Sequence, residues 1–383
     1  MKTVTLREIT LNITDGKHGD CEPAENSGYY FVSCKDVNNG TIDYANARQI
    51  SERAFLETHK RTQLEPNDIL ITNSGTIGRM ALVKDIPETY RTTFQKSVAI
   101  VKPDISVVLP TYLYYKLQNC VTDFVNCSNG SAQKNLLLGT MRKFQIDLHE
   151  DFAQQERLSS ILAAYDNLIE NNQKQIKLLE EAARRLYKEW FVNFRFPGYE
   201  DTPIVDGVPE GWEDGTLGDI AVFKRGKTIT KAQVSDGNIP VVAGGLEPAY
   251  YHNKANTTAP LITVSASGAN AGFTRLYNID VFASDCSYID RNSTPFLLFV
   301  YCFLKTNAMK LNSLQKGSAQ PHVYAKDLNA LVLSVPSEGV LTAFCGIVSP
   351  YFERIRLLQR ENEIAAEARD RLLPKLMSGE IEV

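Results

Sequence analysis

Residues 158–190 read LSSILAAYDNLIENNQKQIKLLEEAARRLYKEW, and the side chains Leu158, Leu162, Tyr165, Ile169, Asn172, Ile176, Leu179, Ala183, Leu186 and Trp190 recur in them by alternate steps of four and three. A stripe this narrow and this regular, with Asn172 as its polar interruption, predicts a helix that faces another helix. A single amphipathic helix lying on its own domain also carries a stripe, usually a wider one. The same spacing returns near the end of the chain as Phe344, Val348, Tyr351, Ile355, Leu358, Asn362, Ala365, Arg369, Leu372 and Leu376, so a matching partner exists in the same molecule. A helix from about Phe152 to Phe191 would be roughly 60 Å long at ~1.5 Å per residue, longer than a small domain is wide. Asn172 and Asn362 are then expected to fix register at some cost in stability.

The second stripe belongs to a longer repeat. Thr5-Leu6-Arg7-Glu8-Ile9, followed by Gly16-Lys17, returns as Thr216-Leu217-Gly218-Asp219-Ile220, followed by Gly226-Lys227. Leu70-Ile71-Thr72 leads into Ser74-Gly75 and Gly78-Arg79, as Leu261-Ile262-Thr263 leads into Ser267-Gly268, Gly272 and Arg275. Gly130-Ser131-Ala132-Gln133 recurs unchanged as Gly317-Ser318-Ala319-Gln320. Repeats of this length decide the architecture before any local structure does. Ahead of each helix lie short runs rich in β-branched and aromatic residues, such as Asp68 to Thr72, Ser97 to Val101, Pro240 to Val242 and Leu331 to Val335, broken by Gly, Asn, Asp and Pro. The expected fold is α+β: a tandem repeat of two globular β-rich domains and two long helices that pair with each other as a coiled coil. Its segments are residues 1–150, a coiled-coil helix 151–195, residues 196–337 and a second coiled-coil helix 338–383.

The chain has 383 residues, 41 basic and 45 acidic side chains and a formal net charge of −4, so it does not coat nucleic acid through bulk positive charge. Basic side chains do cluster locally, around Lys224, Arg225, Lys227 and Lys231, around Arg79, Lys84, Arg91 and Lys96, and at Lys134, Arg142 and Lys143. Taken singly, each cluster also suits a solvated loop. The seven cysteines are scattered and never spaced C-x-x-C, which points to free thiols in a reducing compartment. The longest apolar run, Phe296 to Leu304, is nine residues, too short to span a bilayer as a helix. These features lead us to expect a soluble cytoplasmic protein with no membrane association.

Catalytic patterns are missing. Gly226-Lys227-Thr228 resembles the end of a phosphate-binding loop, but the upstream glycine position is Ala221 and no strand–loop–helix grammar surrounds it. His18, His59, His149, His252 and His322 are isolated from one another and from cysteine, which leaves no metal spacing and no local Cys-His pair. No nucleophile elbow, no dinucleotide-binding glycine pattern and no Pro-Pro dipeptide of the kind that holds a flipped base occurs. The pattern is that of a binding protein with no metal or cofactor of its own.

Three linked features then resemble the specificity (S) subunit of type I restriction–modification systems over essentially the whole chain. Pro209-Glu210-Gly211-Trp212 followed by Leu217-Gly218-Asp219-Ile220 is similar to the start of that family's target-recognition domains. The Gly-Ser-Ala-Gln segments, each followed by a short strand and a long helix, look like their end. Leu372-Leu373-Pro374-Lys375-Leu376-Met377-Ser378-Gly379-Glu380-Ile381 is similar to the family's carboxyl terminus. The resemblance implies a non-catalytic subunit in which each β-rich domain reads one half of an interrupted, asymmetric target in double-stranded DNA. It implies that the two long helices form an antiparallel coiled coil separating the two domains about a pseudo-two-fold, and that this spacer sets the distance between half-sites and docks two methyltransferase subunits, with restriction/translocase subunits as further partners. S-adenosylmethionine, ATP and magnesium are then expected on those partners. The competing classes are a methyltransferase or nuclease in its own right, a coiled-coil adaptor that never touches DNA, a DNA-binding protein outside restriction, and the specificity module of another modification enzyme.

Base reading needs side chains at base edges, whereas Lys and Arg contacts to phosphate set position. Candidate DNA-binding residues are the loop side chains Asn73, Ser74, Arg79, Lys96, Gln133 and Lys134 in the first domain, and Lys224, Arg225, Lys227, Ser267, Arg275, Lys316 and Gln320 in the second. Elements shared by two domains that read different sequences are better suited to holding the fold or gripping the backbone than to choosing bases.

Overall fold

The computed structural model describes residues 1–38, 40–130, 134–316 and 321–383. Its contacts group the chain into two compact units, Met1–Glu170 with Asn362–Val383, and Asn171–Glu361. This grouping differs from the four segments expected above, because the apolar stripe of each long helix continues into a globular core. The helices themselves run Phe152–Phe191 and Glu338–Ser378, and each unit takes part of both.

The two units repeat one topology. In the first, a four-stranded antiparallel sheet runs in the order Thr10–Asp15, Val98–Pro103, Ile69–Thr72, Met80–Leu82; in the second the order is Lys224–Arg225, Cys286–Asp290, Leu261–Ser265, Thr274–Tyr277. A three-stranded sheet with one antiparallel and one parallel pairing accompanies each: Tyr30–Val32 between Arg48–Gln49 and Thr92–Phe94, and Ile239–Val242 between Tyr250–His252 and Phe282–Ala283. Each unit also pairs its first repeat strand with the strand before the long helix, Lys2–Thr5 with Gln145–Leu148 and Glu213–Thr216 with Val332–Val335.

Strand register refines the sequence alignment. Gly78 donates its N–H to Thr72 and Gly272 donates to Ser265, each at 2.9 Å, so Thr72 corresponds to Ser265. The Leu-Ile-Thr match is therefore two residues out of structural step, a shift that a pleat of period two tolerates without turning the strand inside out. Arg79 corresponds to Phe273, and Arg275, which pairs with Thr263, corresponds to Ala81. The two arginines do not occupy equivalent places.

Other repeated residues have structural roles. The Glu8 carboxylate accepts from the Thr5 N–H and Oγ at 2.6 Å each, and Asp219 accepts from Thr216 at 2.7 and 2.9 Å. These capping boxes start the short helical turn after the first repeat strand of each unit. They also hold both carboxyls below the usual carboxylate range. Gly16 and Gly226 lie against backbone: a Cβ would stand 1.9 Å from the Phe94 carbonyl oxygen in one and 2.2 Å from the Ser284 carbonyl oxygen in the other. Lys17 and Lys227, which follow, donate their N–H groups to Phe94 and Ala283 at 2.8 and 2.9 Å.

In the first unit Leu158 and Leu162 enter a core with Leu6, Tyr112, Phe124, Leu376 and Met377. Buried Lys116 donates to the Met377 carbonyl at 2.7 Å, satisfying one of the free carbonyls at the end of the second long helix. In the second unit Trp190 lies 5.8 Å from Phe344, Tyr187 lies 5.5 Å from Phe299, and Trp212 packs on Phe191, Phe194 and Phe196. The Pro-Glu-Gly-Trp motif thus anchors the second domain to the end of the first long helix. Within this unit Asn172 meets Glu361, its Nδ2 donating to Oε2 at 2.9 Å, while Trp190 meets Phe344, so the two helix segments run in opposite directions. All twenty seam positions are buried or half-buried. The two asparagines behave differently: Asn172 is partnered, whereas the Asn362 Oδ1 is buried with no partner among the described residues.

Arg369, a seam position, ion-pairs with Asp166 in the first unit, and the Tyr115 hydroxyl donates to the same carboxylate at 2.6 Å. Side-chain exposures of 25% and 30% make this pair partly desolvated, unlike a surface ion pair. Arg369→Ala is expected to cost about 2 kcal/mol, as loss of a charged hydrogen bond does. The double variant with Asp166→Ala should lose less than the sum of the single losses in denaturant unfolding; strict additivity would show that the pair contributes nothing. Among the described residues no helix is long and apolar enough to cross a membrane.

Candidate nucleic-acid interface

Each unit brings two distant segments together at one end of its four-stranded sheet. In the first, Asn129 and Asn135 exchange backbone hydrogen bonds of 2.9 and 2.8 Å, and the Leu136 N–H donates to the Asn73 carbonyl at 2.8 Å. In the second, Lys316 and His322 exchange bonds of 3.0 and 2.9 Å, and the Val323 N–H donates to the Ala266 carbonyl at 3.0 Å. The described residues that flank the Gly-Ser-Ala-Gln sequences are thereby clamped beside a Ser-Gly turn in both. Gly75 and Gly268 each sit at φ +79°, the left-handed region that glycine enters without a steric penalty. Gln133 and Gln320 lie outside the described residues.

The remaining candidates divide into three groups. Asn73 and Ser74 are buried beneath the turn, at 7% and 8% exposure, and the Asn73 Oδ1 has no partner among the described residues. Arg79, Arg275 and Lys316 are committed within their own domains. Arg79 donates to Asn38 at 2.7 Å, Arg275 donates to the Leu246 carbonyl at 2.8 Å and lies over the Tyr277 ring, and Lys316 pairs with Asp327 at 2.7 Å. Lys96, Lys134, Lys224, Arg225 and Lys227 are exposed and, among the described residues, make no ion pair. The last group has charge to offer a polyanion.

In the second unit the clamp borders a cleft of about 250 Å³ lined by Arg225, Ser267, Asp285, Ser287, His322 and Tyr324. The Ser267 hydroxyl donates to the Asp285 carboxylate, and the His322 and Tyr324 rings are near-parallel, 13° apart with centroids 5.9 Å apart. Sequence reasoning missed Asp285, Ser287, His322 and Tyr324. For His322 a signal was present: it stands two residues after the repeated tetrapeptide, as Asn135 does in the first copy. A guanidinium that only donates, a carboxylate that only accepts and an imidazole that does either can pair with base edges or phosphate. Among the described residues no group of three or more His, Cys, Asp or Glu could hold a metal ion.

A duplicated domain of mixed helix and strand, each copy with a backbone clamp, flanking cations that make no ion pair among the described residues and a share of two long helices, defines a tandem recognition protein. The chain belongs to the family described as "Type I restriction modification DNA specificity domain", whose profile matches residues 14–181 and 209–364. The two matches correspond to the two structural copies, so the chain is a DNA-specificity subunit of the type I restriction–modification kind. It is 26% identical over 383 residues to the type I restriction enzyme MjaIX specificity subunit of Methanocaldococcus jannaschii, covering 92% of this chain and 87% of that protein. It is 29% identical over 159 residues to the EcoBI specificity subunit of Escherichia coli, covering 40% of this chain and 33% of that one. The crystal structure of the type I restriction–modification S subunit from M. genitalium has the same fold, with a TM-score of 0.57 at 16% identity over 98% of this chain and 95% of that one.

Proposed function

We propose that each globular domain reads one half-site of an asymmetric, bipartite duplex DNA target, and that the chain docks two methyltransferase subunits, with restriction/translocase subunits as further partners. The observation that carries this reading is the duplicated frame. The same sheets, turn and clamp occur twice, but the exposed side chains around them differ, as two readers of different sequences require. The reversed direction of the helix segments within the second unit supports an antiparallel coiled-coil spacer over 151–195 and 338–383, between reading domains 1–150 and 196–337. The chain itself is non-catalytic in this reading, and S-adenosylmethionine, ATP and magnesium belong to the partners. The compartment is the cytoplasm. Lys96, Lys134, Lys224, Arg225 and Lys227 supply phosphate and base contacts.

The test is a methylation assay with a labelled methyl donor on a random duplex library, using the purified chain alone, methyltransferase subunits alone and both together. Only the mixture should methylate, and only at a two-part sequence. Methyl transfer by the lone chain, or transfer by the mixture without sequence preference, overturns the proposal. With a net charge of −4 the isolated chain should bind DNA weakly, and binding should fall steeply as salt rises because phosphate contacts release counterions.

A further inference from the structure

The strand registers and the clamp align the two domains residue by residue, which allows the cleft of the second to be compared with the same place in the first. Asp15 pairs with Ala99 where Arg225 pairs with Ser287. Ser97 accepts from the Asn73 N–H where Asp285 accepts from the Ala266 N–H, and Asn135 closes the clamp where His322 does. Tyr324, two residues past His322, corresponds to Leu137. Ser267 and Ser74, by contrast, are the same residue at the same place.

The frame is therefore held constant while its lining is exchanged, and at one position the charge is reversed. Asp15 is spent inside the first domain, bonded to Arg61 and 3.6 Å from the His18 Nε2. Arg225, at the equivalent position, is exposed and makes no ion pair among the described residues. A contact that only grips the sugar–phosphate backbone meets the same chemistry in every half-site and has no reason to change sign. A contact that reads a base edge meets a different donor and acceptor pattern for each base. We infer that Arg225, Asp285, His322 and Tyr324 determine the sequence read by the second domain, and that Asn135 and Leu137 occupy the corresponding reading positions of the first. The Ser-Gly turn, the glycines at 16 and 226 and the backbone clamp are the common holder. This inference rests on the DNA-reading function proposed above.

The experiment uses the full chain assembled with methyltransferase subunits on a random duplex library, comparing wild type with Arg225→Gln, His322→Asn, Tyr324→Leu and Asn135→His. The first three should change preference about tenfold at one or more positions of one half-site, leaving the other half-site and the spacing unaltered. Asn135→His should do the reverse. Folding is checked by tryptophan fluorescence and circular dichroism. Arg225→Gln, at an exposed position, and Tyr324→Leu, which installs the residue of the other domain, keep the test decisive if another variant misfolds. Folded variants that keep both half-sites unchanged, or that lose activity equally on all sequences, overturn the inference. A wild-type complex without sequence preference overturns the DNA-reading function instead.

Discussion

Gly226→Ala is expected to lower the stability of the second unit by about 3 kcal/mol, a large part of the ~5–15 kcal/mol that holds a typical domain folded. The added methyl would meet the Ser284 carbonyl oxygen at 2.2 Å and the Ala283 carbonyl carbon at 2.8 Å. Backbone cannot rotate aside as a side chain does, so the strand must move and the hydrogen bonds Gly226 to Cys286 and Lys227 to Ala283, at 2.8 and 2.9 Å, must lengthen. Both tryptophans of the chain, Trp190 and Trp212, lie in the second unit, so their fluorescence during denaturant unfolding follows that unit. The tryptophan midpoint should fall for Gly226→Ala. Gly16→Ala, which meets the Phe94 carbonyl oxygen at 1.9 Å, should act in the first unit and be seen by circular dichroism. Gly346→Ala is the control: within the second long helix, with nothing inside 4 Å of its added methyl, it should stabilise by up to about 1 kcal/mol through helix propensity. An unchanged midpoint for Gly226→Ala would show that the close approach is not maintained in solution.

Aspartate at a fully buried seam position should cost more. Leu162 and Leu358 are 0% exposed, one in each unit, and a carboxylate there must either stay charged without a partner or bind a proton against its solution preference. Leu162→Asp and Leu358→Asp are each expected to lose 4 kcal/mol or more, on the order of the largest single-residue effects. Ile169 and Ile176 are half-buried, so Ile169→Asp and Ile176→Asp should have smaller effects. Leu178→Asp, next to the seam but 64% exposed, should leave thermal unfolding and assembly with methyltransferase subunits unchanged. Loss of assembly on a sizing column for the two seam variants but not for Leu178→Asp supports the helix pair as the docking spacer. Equal behaviour of all three would end that reading.

The heptad stripe and the long repeat were legible because both are properties of spacing. A side chain recurring by fours and threes lies on one helical face whatever it packs against, and both stripes fall inside the helices Phe152–Phe191 and Glu338–Ser378. The repeat announced a duplicated domain because copied residues such as Thr5 with Glu8 and Thr216 with Asp219 make local bonds three residues apart. The interface was less legible. Asn73 and Ser74 have the chemistry of base readers but are buried, and Arg79, Arg275 and Lys316 are occupied by partners 41, 29 and 11 residues away. Spacing does not encode such pairings.

By itself the sequence determined the tandem plan, the two long helices and the family, since each depends on residue types at fixed intervals. The tertiary structure decided which copied residues are truly equivalent, displacing the Leu-Ile-Thr match by two and separating Arg79 from Arg275. It also decided which side chains face the cleft. Asp285 and His322 are 37 residues apart and reach one cleft because the strand Cys286–Asp290 pairs with the strand Leu261–Ser265 and the clamp residues His322 and Val323 lie against the Ser-Gly turn that follows it. Backbone hydrogen bonds made that juxtaposition, and every residue but proline can make them, so no residue type records them in advance.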